Sequence, residues 1–236
     1  MHALIGLLFA LGMLQPVRAE PRLNLVTEDG PYTFMIDGRV GGPATELMHQ
    51  LMARADITDY DVALYPWARA YAMALRQPDV LIFLMARTPQ RETKFKWVGE
   101  LQQQRYAFYK LRARSDIRLT QLGDAKAWVI GLAREDVRHQ YLQGQGFVRL
   151  LLSARTDESL RLLQRGRVDL VVLSESDAAT MCAKEPDTCA QLERAYRIED
   201  LQVGLYAACS LATSDARVQR LRHAFEALKK EGRIKL

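Results

Sequence analysis

The residues most able to do chemistry gather at a few points along the chain. Arg87 and Arg91 stand four apart in the segment Arg87-Thr88-Pro89-Gln90-Arg91. A helix beginning at Thr88 would turn both toward one cleft, because residues four apart share a helix face. A planar guanidinium grips a carboxylate through two parallel hydrogen bonds, a geometry lysine does not reproduce. On one reading such an arginine holds an anionic solute; on the other it is a helix-start residue paired with Glu92 or water. Tyr65 and Trp67 flank Pro66 and either stack on a ligand or fill core. Arg134-Glu135-Asp136 and Ser174-Glu175-Ser176 are two further polar groups. Glu175 and Asp136 could accept an ammonium group, or serve as helix N-terminal acids favoured by the dipole.

Covalent chemistry finds little support. There is no Gly-x-Ser-x-Gly turn, and no histidine falls where it could serve Ser174 or Ser210. His2, His49, His139 and His223 are scattered, and no cysteine–histidine group has zinc spacing. Nothing singles out a carboxylate pair of the glycosidase kind. The expectation is a protein without catalytic residues, metal or cofactor.

Strands and helices must alternate to position these groups. Leu23 to Thr27, Asp61 to Leu64 and the apolar run Asp79 to Met85 read as strands, with helices at Ala44 to Ala55 and Trp67 to Leu75. The second half repeats the scheme. Strands are expected at Trp128 to Leu132, Phe147 to Leu152 and Val168 to Leu173, with helices at Val137 to Leu142 and Asp157 to Gln164. Both Asp79 and Asp169 follow a helix end and a tight connection and open onto a buried strand, a weak internal repeat. Leu101 to Tyr109 could cross between two lobes, and the chain would return near Ile198 to Val203 before a strand at Leu205 to Cys209. A last helix is capped at Thr213 or Ser214 and ends at Gly232. This is an α/β pattern of parallel sheets, in which ligands lie beyond the strands' carboxyl ends. That rule selects the residues named above, together with Glu28 and Asp29.

Composition narrows the class. Leu4 to Leu14 is nearly all apolar and is followed by Val17-Arg18-Ala19, so residues 1–19 read as a secretory signal cleaved after Ala19. The formal charge is +5, but Lys and Arg are spread among Asp and Glu, unlike the basic stripe of a nucleic-acid binder. An exported protein meets an oxidising compartment, where Cys182 and Cys189 can close a short loop. Cys209 is left over.

Taken in order, these segments resemble the extracellular solute-binding protein family 3, the polar amino acid type with the type 2 periplasmic-binding fold. The likeness is carried by Asp29-Gly30-Pro31-Tyr32-Thr33-Phe34, Tyr65-Pro66-Trp67-Ala68-Arg69, Asp79 through Arg91, Ile130 through Asp136, and Leu163 through Leu173. The resemblance implies two lobes, 20–103 with 201–236 and 104–200, joined by two hinge crossings. It implies a periplasmic monomer that captures a small polar or anionic, amino-acid-like solute for an ABC importer's permease or a membrane sensor. Arg91 would grip the solute's carboxylate, with Arg87, Thr88, Tyr32, Tyr65, Trp67, Arg134, Ser174 and Glu175 around it. The departures matter. Ala86 and Arg87 stand where small hydroxyl residues are usual, Ser174 where an ammonium-holding Asp is usual, and Glu135-Asp136 replace a Gly-Thr. The solute is therefore open to being another small anion or polar molecule. The alternative is an enzyme on the same scaffold, a cyclohexadienyl dehydratase-like lyase with Glu175 as general acid.

Overall fold

A computed structural model describes residues 20–236, so the signal expected at 1–19 lies outside the described residues. The chain opens with β1 (Leu23–Thr27), a hairpin of β2 (Phe34–Ile36) and β3 (Arg39–Gly41), α1 (Pro43–Arg54), β4 (Tyr60–Leu64), α2 (Trp67–Arg76) and β5 (Val80–Ala86). A long strand, β6 (Phe95–Leu111), then leads to β7 (Ile130–Ala133), α3 (Val137–Gly144), β8 (Leu150–Ser153), α4 (Thr156–Gln164) and β9 (Leu170–Ser174). After α5 (Glu175–Lys184) and α6 (Pro186–Gln191), a second long strand, β10 (Leu192–Ser210), runs back to α7 (Asp215–Lys230). The hairpin, α5 and α6 have no counterpart in the expected pattern. Phe147, expected in a strand, is instead a buried residue of the connection before β8.

The eight-stranded sheet has the order β4-β1-β5-β10-β6-β9-β7-β8. Its flanks are parallel, β1 with β4 and β5, and β7 with β8 and β9. The central pair β6 and β10 is antiparallel and serves both flanks. Register explains why the two flanks confront each other. The end of β5, Ala86, pairs with Leu205, which lies opposite Gln102; the end of β9, Ser174, pairs with Tyr106. Only the few residues from Gln102 to Tyr106 separate the two points along β6. The carboxyl ends of both parallel sets therefore point at one gap. There the β6–β10 ladder slips between Ile198 and Gln202, a local disruption of the kind that bends a strand.

Side-chain alternation builds a core on each sheet face. Leu25, Leu81 and Phe83 pack against α1 and α7, whereas Val26, Val80 and Ile82 face α2. In the other flank Phe108, Ile130 and Val172 join α3, and Val171, Leu173 and Ala178 join α4 and α5. The acid expected before each buried strand has one job in both halves. Asp79 accepts from Arg217 at 2.7 Å and Asp169 from Arg114 at 2.7 Å. Asp79 itself is not extended (φ 52°), so β5 begins one residue later.

Cys182 and Cys189 form a disulfide, Cα atoms 4.8 Å apart, tying α5 to α6. Closing so short a loop contributes about 2–3 kcal/mol under the chain-entropy model. Cys209 is buried and free, and burial pushes its thiol up to about 12, so it is unreactive at neutral pH. Among the described residues no helix is long and apolar enough to cross a membrane.

Candidate functional site

The gap between the strand tips contains two joined chambers, an inner one of about 90 Å³ and an outer one of about 280 Å³. Glu28, Asp29, Gly30, Pro31, Thr156 and Asp177 line both.

Arg91 is the centre of the inner chamber. Pro89 prevents the chain from starting a helix at Thr88, because the residue before a proline is pushed out of the α region. Residues 88–91 form a turn closed by Arg91 N donating to Thr88 O at 2.9 Å, and only Glu92–Lys94 is 3₁₀. The arrangement of Arg87 and Arg91 on one helix face is therefore corrected. The two guanidinium groups part company. Arg87 pairs through Nε with Glu92 Oε2 at 2.8 Å and lies 5.1 and 5.2 Å from the Trp97 and Tyr206 ring centroids, outside the lining of both chambers. Arg91 is 1% exposed. Its Nη1 donates to Ala86 O at 3.2 Å and its Nη2 to Glu135 O at 2.9 Å. Its Nε, like Thr88 Oγ1 in the same turn, is buried without a partner. Among the described residues no carboxylate lies within ion-pair distance of it. Burial accordingly lowers its pKa, against the opposing pull of Tyr71 and Asp136.

Aromatic rings carry the flanks of this cation. Pro66 sets the extended entry to α2 and leaves Trp67 as its first residue, with the indole reaching back over the gap. Arg91 sits 5.4 Å from the Trp67 ring and 4.9 Å from Tyr71, a cation–π pair of contacts. Trp67 Nε1 donates across the gap to Glu135 O at 2.9 Å. Glu135 holds φ 59°, a left-handed conformation that aims its carbonyl at both Trp67 and Arg91. Leu84 is in the same region (φ 59°), at a bulge where Phe83 and Leu84 together face Ala207. A leucine there costs about 1–2 kcal/mol. The bulge turns Leu84 into the inner chamber's wall, so backbone strain sits at the site.

The opposing wall is a buried ion-pair network. Asp136 caps α3 by accepting from Arg138 N at 2.8 Å, and its carboxylate takes Arg138 Nε at 2.5 Å and Nη2 at 3.0 Å. Arg138 also donates to Val172 O at 3.0 Å and Thr156 Oγ1 at 2.9 Å, and lies 3.7 Å from Asp177. Burial works to raise Asp136, but the guanidinium overrides it and holds the carboxyl below its ordinary value. Ser174 caps α5, its Oγ accepting from Asp177 N at 2.9 Å.

The remaining named residues are spread more widely. Tyr32 lines the inner chamber and Tyr65 the outer one. Arg134 is exposed, and Glu175 pairs with Arg197 at 3.0 Å; neither lines a chamber. Arg138, Asp177, Thr156, Tyr106 and Gln104 escaped the strand-tip rule. Extending that rule by one helical turn reaches Arg138 and Asp177; Tyr106 and Gln104 sit mid-strand and carry no sequence signal.

Glu28 behaves unlike the other acids. Burial, then the Asp136 carboxylate, pushes it from the ordinary 4.5 up to about 8. Between those values the folded protein holds a proton that the unfolded chain releases. Stability is then full below about pH 4.5 and falls as pH rises through about 8, by at most about 1.4 kcal/mol per unit. Glu28→Gln is expected to remove this slope, so that the variant overtakes the parent in melting temperature by pH 8. Equal slopes in thermal unfolding from pH 5 to 9 would refute a neutral, half-buried Glu28.

No family model and no curated protein matches the chain. Solved structures do. A histidine kinase sensor domain with similarity to periplasmic binding proteins superposes with TM-score 0.80 at 18% identity, covering 90% of this chain and 92% of that one. The fold is that of the periplasmic binding proteins. An ancestral arginine-binding protein bound to arginine gives 0.77 at 16% identity, covering 92% and 96%. The arginine-, lysine-, histidine-binding protein ArtJ from the thermophilic bacterium Geobacillus stearothermophilus gives 0.77 at 15%, covering 91% and 92%. At such identities the likeness is one of fold, and the α/β, periplasmic-binding-protein-like fold that the family resemblance implied agrees with it.

Proposed function

We propose that this chain is an exported, periplasmic solute-binding protein of the family 3 type, a monomer that closes over a small anionic solute. It would pass the solute to an ABC importer or report it to a membrane sensor; the similar structures include proteins of both kinds. Residues 20–103 with 201–236 and residues 104–200 move as two lobes about the slipped crossing of β6 and β10. The observation that carries the reading is Arg91, a buried guanidinium between the lobes with no anion of its own. A buried charge is costly until paired, so an incoming anion gains the contact the chain withholds. Glu135 O, which accepts from both Trp67 Nε1 and Arg91 Nη2, supports a closed arrangement of these two parts.

A thermal-shift screen of small anions, with mass spectrometry of whatever co-purifies, tests the reading. A solute at a hundred times its Kd should add about 2.7 kcal/mol to stability. The same solute should reduce the radius of gyration in solution scattering and be recovered unchanged. Turnover of the solute, or binding without Arg91, would defeat it.

A further inference from the structure

One element supplies much of the outer chamber's lining: Asp177, Thr180, Met181 and Lys184 of α5, and Glu185 just beyond it. The inner chamber takes only Asp177 from this element. Lys184 and Glu185 are exposed and so mark the outer chamber's rim. α5 cannot run on past Lys184, because Pro186 pushes Glu185 out of the α region (φ −134°, ψ 73°). The chain bends there and restarts as α6, a helix of six residues. At this elbow Lys184 Nζ lies 5.4 Å from the ring centroid of Phe34, which belongs to the β2–β3 hairpin on the other side of the gap.

Little apolar burial holds the elbow in place. α1 buries six residues, whereas α5 buries Ala178 alone and α6 buries none. Met181 packs partly against the cluster of Leu163, Val171 and Leu173. Gln164 Nε2 donates to Thr188 Oγ1 at 3.2 Å, and at the far end Arg112 N and Nε donate to Gln191 O at 2.7 Å and Ala190 O at 3.1 Å. A helix as short as α6 does not persist without such tertiary support. The strongest tie is covalent, since Cys182–Cys189 spans the bend and fixes the last turn of α5 against α6. Both cysteines are only partly buried and residues 183–187 between them are exposed, so a dithiol can reach the bond.

We propose that this disulfide is a redox-sensitive clamp on the outer chamber: its reduction frees the elbow and opens the rim, while Arg91 and the inner chamber stay as they are. A dithiol attacks one sulfur, and its second thiol resolves the mixed disulfide. Two electrons and two protons pass to the chain, leaving thiols at Cys182 and Cys189 and a disulfide in the dithiol. The proposal rests on the solute-binding reading given above and adds how that site is regulated.

Hydrogen exchange read by mass spectrometry tests it on the mature protein. Three forms are compared: oxidised, reduced with dithiothreitol, and Cys182→Ser/Cys189→Ser. Amides of residues 181–191 should exchange about 30- to 150-fold faster in the last two, the equivalent of the loop-closure contribution given above. Peptides of β9 and α4 should keep their rates. The Tyr65 phenol reads the chamber itself, and N-acetylimidazole should acetylate it at least about twofold faster once the clamp is lost. Should circular dichroism show the serine variant unfolded, the reduced parent carries both measurements. Unchanged exchange across 181–191, a rise shared equally by β9 and α4, or a Tyr65 rate that does not respond would each overturn the proposal. No solute is needed, so its failure leaves the solute-binding reading to be judged by the anion screen.

Discussion

Arg91→Ala is expected to weaken solute binding by about 30- to 4,000-fold, the equivalent of about 2–5 kcal/mol for a truncated partner of a buried charge pair. Three features set this size. The guanidinium is excluded from water, so its contact with an anion is not screened. It is positioned in advance, by two carbonyls on its Nη atoms and two aromatic rings at its sides, so little ordering is left for binding to impose. Its Nε remains free to donate. Arg91→Lys should fare little better, because an ammonium lacks the planar fork and would leave Ala86 O or Glu135 O unpaired. Titration calorimetry with a solute from the screen measures the loss, and circular dichroism with urea unfolding confirms that the fold survives. An unchanged Kd in either variant would take Arg91 out of the site.

Asp136→Ala should be the most destabilising substitution in the cleft, by about 3–5 kcal/mol, with loss of a helix cap adding about 1 kcal/mol. The cause is the charge left behind. Arg138 is 4% exposed, and without Asp136 its nearest carboxylate is Asp177 at 3.7 Å. Against a typical stability of about 5–15 kcal/mol, this approaches unfolding. The double variant Asp136→Asn/Arg138→Met removes both charges and should recover most of the loss, since a buried pair contributes little against an apolar replacement. Urea unfolding of the parent, Asp136→Asn, Arg138→Met and the double variant forms the cycle, with Asp136→Ala measured beside it. If Asp136→Ala kept the parental midpoint, the pair would not be the buried network described.

Much of the scaffold was legible because it depends on local pattern. Leu23–Thr27 reads as a strand to the residue, and Trp67 stands at the start of its helix in both the pattern and the structure, just after Pro66. The Ser214 cap and the Val218, Leu221, Phe225, Leu228 stripe of α7 follow from capping chemistry and a 3.6-residue period. Spacing alone puts Arg87 and Arg91 on one helix face, but Pro89 between them bars that helix. The cysteine pair could be proposed from its separation and compartment, while its geometry needed α5 and α6 in place.

Apart from the β2–β3 hairpin, α5 and α6, the order of strands and helices, the capping groups and the residues at the strand tips are determined by the chain alone, because near neighbours decide them. Only the tertiary structure decided which tips meet. The long β6–β10 ladder sets Ala86 and Ser174 a few residues apart, and no local period encodes that register. It also decided charge state. Arg87 and Arg91 are the same residue type four positions apart, yet one is paired at the surface and the other buried without an anion, because pairing and desolvation depend on what the rest of the fold brings alongside.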